Sequence, residues 1–159
     1  MMRAIVLAAF AALAGCASVG ADVTATPGAA LAAVQQARLR ECPPERTQAN
    51  ARTSGDAETI GVTSTDLALV PLAHDQTRAT RLRRIVMAPG AVIQWHEHTT
   101  VQGMAMIVSG EVTEFRNTCL DPLVYRAGDI AREDIGTAHG WRNESGGEAV
   151  ILVWHVVPR

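Results

Sequence analysis

From Thr59 to the C-terminus the chain is a succession of short β-prone runs cut by Gly, Pro, Asn and Asp, and nowhere does a helical period persist over ten residues. This excludes helix bundles and α/β layers. The runs predict strands near Leu67–Leu72, Thr80–Met87, Ala91–His98, Met104–Val108, Glu111–Arg116, Leu123–Arg126, Ile130–Glu133, Ala138–Asn143 and Ala149–Val157. Pro89-Gly90 and Ala127-Gly128-Asp129 are turn signals between them. So many short strands predict an all-β sandwich or barrel, because closure or two-sheet packing protects the edges of so small a sheet.

The front of the chain has a different character. Arg3 precedes the apolar run Ala4 to Leu13, which is too short for the ~20 residues of a membrane-spanning helix and fits the h-region of a signal peptide. Leu13-Ala14-Gly15-Cys16 resembles the lipobox of bacterial lipoproteins, which implies a signal peptide over residues 1–15 and lipid on Cys16. An ordinary signal peptide cut near Ala17 to Ala21 is the alternative. In that family Ala17 after the cysteine implies sorting to the periplasmic side of the outer membrane, so membrane contact is expected through the anchor alone.

Residues 16–58 read as tether and lead-in, irregular except for a helical stretch from Ala29 to Arg40, with a breaker at Pro43-Pro44. Residues 59–159 are then a single domain, as the length permits one hydrophobic core. With Cys16 lipidated, the remaining thiols are Cys42 and Cys119, and an oxidising compartment lets such a pair bridge, two free thiols being the alternative.

Composition removes several function classes. All 14 basic residues are arginine, which excludes a Schiff base or pyridoxal phosphate on a lysine of the chain. A net charge of −2 offers no footprint for nucleic acid, and 4% aromatic residues give no base-stacking surface. No G-x-S-x-G elbow occurs, so serine-nucleophile hydrolysis is unsupported.

His96 and His98 are two apart on a predicted strand, so their side chains leave one face with Cα atoms about 6.6 Å apart, close enough to share a metal ion. His139 lies on a later strand that a barrel can bring opposite. His74 and His155 read as solitary polar residues, and Arg81, Arg83 and Arg84 as a solvated run.

These residues carry a resemblance to the cupin superfamily. Gly90, five residues, His96-Glu97-His98 and Gly110 reproduce its first motif, and Gly128, Gly136, His139 and Asn143 its second. Asp134 replaces the proline of the second motif. Gly103 stands where the first places a glutamate, so the carboxylate ligand is missing. The likeness covers about residues 61–157. The stretch Val112 to Arg116, with Cys119 and Ala127-Gly128-Asp129, is also similar to exported small cupins.

The resemblance implies a jelly-roll β-barrel with a divalent transition metal on His96, His98 and His139, iron first, with zinc, manganese, nickel or copper as alternatives. Gln102 is a further ligand candidate beside Gly103, and Gln94, Trp141 and Asn143 are expected to wall the pocket. A three-histidine set without the glutamate resembles several non-haem iron dioxygenases. It implies a small anionic chelating substrate, with metal-dependent lysis or isomerisation as a second chemistry. A non-catalytic small-molecule or metal-binding envelope lipoprotein is the competing class. Small cupins also imply a homodimer.

Overall fold

The computed structural model describes residues 32–159, so the signal peptide expected over residues 1–15 and Cys16 lie outside the described residues. The strands are β1 (Arg38–Leu39), β2 (Ile60–Pro71), β3 (Arg78–Glu97), β4 (Gln102–Ser109), β5 (Glu111–Arg116), β6 (Leu123–Arg126), β7 (Asp129–Glu133), β8 (Ala138–Arg142) and β9 (Ala149–Pro158). They form one curled sheet in the order β1-β7-β4-β9-β3-β8-β5-β6, with β2 on β3. This is a jelly-roll arrangement, all-β as the sequence pattern predicts.

The core lies between the inner faces of the curled sheet. On β9, Ala149, Ile151, Val153 and Val157 are buried and alternate with more open residues, the period-two pattern of a strand with one face inward. Ile107, Val112, Tyr125 and Trp141 meet them from β4, β5, β6 and β8.

Three expectations need correction. The strands predicted at Thr80–Met87 and Ala91–His98 are one 20-residue strand, and Pro89-Gly90 is a bend within it. At that bend β3 leaves β9, its partner through Met87, for β8, its partner from Val92, so the strand turns a corner between two parts of the sheet. Gly90, at φ 77°, supplies the backbone conformation that the corner needs.

The helix expected over Ala29–Arg40 is helical at 32–35 within the described residues and then gives way to β1, which pairs in parallel with β7. Edge pairing with β7 outweighs the weak helical preference of an isolated segment. β2 begins at Ile60 rather than Leu67, because Ser64 and Thr65 continue its ladder with β3 despite their polarity.

The lead-in is bound to the barrel. Cys42 and Cys119 form a disulfide with Cα atoms 5.6 Å apart, and the Tyr125 hydroxyl lies 3.0 Å from the Arg40 carbonyl oxygen.

Candidate metal centre

His96 near the end of β3 is the register partner of His139 on β8, and His98 follows just past the end of β3. Alternation puts His98 on the face of His96, and cross-strand pairing brings His139 against it. The three Nε2 atoms converge: His96 to His98 is 3.2 Å, His96 to His139 is 3.2 Å and His98 to His139 is 2.9 Å.

The outer ring nitrogens determine what those Nε2 atoms are. His96 Nδ1–H donates to the Gln94 carbonyl at 2.9 Å and His98 Nδ1–H to the Val101 carbonyl at 2.9 Å. His139 Nδ1–H donates to the Glu114 carboxylate at 2.5 Å. A carbonyl or carboxylate oxygen can only accept, so each Nδ1 carries a proton, and a neutral ring so held presents a lone pair at Nε2. Burial pushes the His98 imidazole down to about 4, and burial together with nearby His139 also lowers His96, so both rings are neutral at pH 7. Three lone pairs aimed at one point repel unless a cation lies between them. This donor set therefore fits a divalent transition ion.

Behind His139 stands a network that sequence reasoning missed. Glu114 is fully buried and also accepts from the Tyr125 hydroxyl at 2.8 Å and from Arg116 at 3.0 and 3.1 Å. Burial alone would raise its carboxyl, but the His139 hydrogen bond and the Arg116 guanidinium outweigh that and hold it below the usual range. It remains ionised and fixes the His139 ring, the outer-ligand arrangement that orients metal-binding histidines. The available signal was a glutamate in mid-strand between buried neighbours in Glu-Val-Thr-Glu-Phe-Arg.

His96 and His98 line a cavity of about 340 Å³ whose wall also includes Ile93, Gln94, Trp141 and Val153, while His139 is fully buried behind them. Gln94 and Trp141 thus line it as the sequence suggested. Asn143 does not. It is buried and donates to the Met87 and Gly147 carbonyls at 2.9 and 2.8 Å, while its own side-chain oxygen caps Ser145, so it ties the β8–β9 loop to β3. Gln102 is also absent from the wall, because on β4 the inward parity belongs to Gly103, Ala105 and Ile107, and a one-residue shift turns Gln102 to the other face.

Three polar residues read as solvated or solitary line this cavity: Arg81, Arg83 and His155. Arg83 is clamped bidentately by Asp66 at 2.6 and 3.2 Å, whereas Arg81 Nε is buried with no hydrogen-bond partner among the described residues. His155 is not solitary, since its Nε2 bonds the buried Glu133 carboxylate at 2.5 Å. The motif glutamate is absent at Gly103, but a carboxylate from another strand stands near the site: the other Glu133 oxygen lies 3.6 Å from His139 Nε2.

With this geometry in place, likeness to known proteins is informative. Residues 83–155 match the cupin domain family and include His96, His98, His139 and His155. Over those residues the chain is a cupin domain. Among solved structures, the chain is similar to a predicted oxalate decarboxylase from Thermotoga maritima at 19% identity and TM-score 0.53, covering 76% of this chain and 100% of that one. It is also similar to KdgF from Halomonas sp. at 18% identity and TM-score 0.50, covering 72% and 93%. At these identities the likeness speaks for the fold alone. No curated protein sequence matches the chain.

Proposed function

We propose that the protein is an exported, lipid-anchored metal enzyme in which His96, His98 and His139 hold a divalent ion, iron in the working form. The cavity takes a small anionic chelating substrate for oxygen-dependent cleavage. The observation that carries this reading is the convergence of the three Nε2 atoms within 3.2 Å of one another, beside a partly apolar cavity lined by His96 and His98.

A bound iron would supply a charged template for substrate and dioxygen. The chain's residues do the rest. Imidazole ligands would leave the double positive charge of the ion uncancelled, and Arg81 on the wall, 3.8 Å from Asp66, adds a guanidinium whose Nε has no hydrogen bond among the described residues, so the cavity favours anions. Ile93, Trp141, Ile151 and Val153 exclude water beside the ion, which strengthens these attractions.

Export to the periplasmic face of the outer membrane is supported by the sequence of residues 1–16 and by the Cys42–Cys119 bridge, since such bonds persist in oxidising compartments. A homodimer belongs to the same reading: among the described residues β2 pairs with β3 alone and leaves Leu67, Leu69 and Val70 exposed, apolar surface that a second copy would cover.

The test is anaerobic loading with Fe(II), followed by oxygen-uptake measurements with panels of diketones, thiols and hydroxybenzoates. Uptake with one class, abolished in His96→Ala, is the expected result. Turnover without oxygen uptake would indicate Lewis-acid lysis or isomerisation instead. Tight ligand binding with no turnover in any panel would make the protein a capture module.

A further inference from the structure

In the register of the sheet, Gly103 on β4 pairs with Glu133 on β7 and with His155 on β9. Directly opposed residues on adjacent strands share a face, so Glu133, Gly103 and His155 form a row across three strands whose middle side chain is missing. The gap is enforced by the backbone, because a Cβ at position 103 would lie 1.8 Å from the Trp154 carbonyl oxygen. No glutamate fits there. The two outer side chains instead lean over the gap and meet, Glu133 Oε2 accepting from His155 Nε2–H at 2.5 Å although their strands are not neighbours. This leaves Oε1 turned toward the imidazole cluster, 3.6 Å from His139 Nε2.

We propose that Glu133 is a fourth, carboxylate ligand of the metal centre, delivered from β7 across the gap at Gly103. The inference rests on the three-histidine reading above and deepens it. His155 is the positioning residue. With Nε2–H committed to Glu133, its Nδ1 is an acceptor, and the donor-only Arg81 guanidinium stands 3.4 Å from it. Arg81, His155 and Glu133 thus form one line from the cavity wall to the ion. With Glu133 as a ligand the centre would carry a lower net charge and offer less room for added ligands than three imidazoles alone.

Co(II), titrated into the full chain against a chromogenic chelator, is the probe. Glu133→Ala and Glu133→Gln are expected to weaken Co(II) binding at least as much as the loss of an outer-ligand partner does, about 10–100-fold, and to shift the visible spectrum of bound Co(II). His96→Ala is expected to abolish binding. Glu133 variants that bind as tightly as wild type with a superimposable spectrum, while His96→Ala fails, would overturn the inference and leave the three-histidine centre standing. Wild-type binding by His96→Ala would overturn both. Should the Glu133 variants not fold, a crystal structure of the Co(II)-loaded wild type decides: a Glu133 oxygen at about 2.0–2.2 Å from the ion supports the assignment, and one beyond bonding reach refutes it.

Discussion

Glu114 is the sharpest place to perturb this protein, because one fully buried carboxylate serves His139, Tyr125 and Arg116 at once. Glu114→Ala removes this shared acceptor and leaves the Arg116 guanidinium, whose side chain is 11% exposed, without its carboxylate and with the Arg132 carbonyl as its remaining acceptor. Removing one partner of a buried ion pair costs about 3–5 kcal/mol, mostly from the charge left without a partner. With a urea dependence of about 2 kcal/mol/M, the unfolding midpoint should fall by roughly 1.5–2.5 M. Glu114→Gln keeps the volume and one acceptor oxygen but turns an amide N–H₂ toward other donors, so its midpoint should lie between wild type and Glu114→Ala. Both variants release the His139 ring and should weaken metal binding by about 10–100-fold. Urea titration followed by near-UV circular dichroism, with the disulfide intact, reads the first effect and chelator competition the second. A Glu114→Ala midpoint within about 0.5 M of wild type, equivalent to about 1 kcal/mol, would refute the claim that this network is both ionised and structural.

Other outcomes follow from the same geometry. Gly103→Ala forces β4 away from the β9 backbone and should cost about 1–3 kcal/mol in thermal or urea unfolding, while an unchanged midpoint would mean the strands part freely. Reducing Cys42–Cys119, which closes a sequence separation of 77, should destabilise by about 4 kcal/mol on the chain-entropy account, seen as a lower melting temperature with reductant. The metal-free protein should lose stability as pH falls from about 6.5, the ordinary histidine value, toward the about 4 of buried His98: the unfolded chain takes up protons over that window and the folded one does not. Melting temperatures that stay flat across it would contradict the burial of His98.

The strands and the His96–His98 pair were legible because both depend on local pattern, whereas His139 came from the resemblance to the cupin motif. The apolar, β-branched run Val150 to Val157 marks a strand, and the two-residue step from His96 to His98 fixes their common side without knowledge of the fold. Glu133, His155 and Glu114 were not legible in the same way. Each joins the site through the pairing of strands distant in sequence, β7 with β4 and β9, or β5 with β8, and register between such strands is set by the whole barrel. Arg81 was misjudged for a related reason: alternation gave its parity but not which face of β3 looks into the cavity. Pro89-Gly90 read as a turn because Pro and Gly break strands on average, whereas here they let one strand change partners. Asn143 kept its motif spacing but serves the backbone, since a buried amide satisfies three neighbours of the β8–β9 loop.

The central claim is that three imidazole nitrogens from β3, its C-terminal end and β8 hold one ion. Elemental analysis of protein purified from its native host, alongside His96→Ala and His139→Ala, addresses it most directly. The account predicts near-stoichiometric transition metal in the wild type and almost none in either variant with folding retained; equal metal content in all three would contradict it.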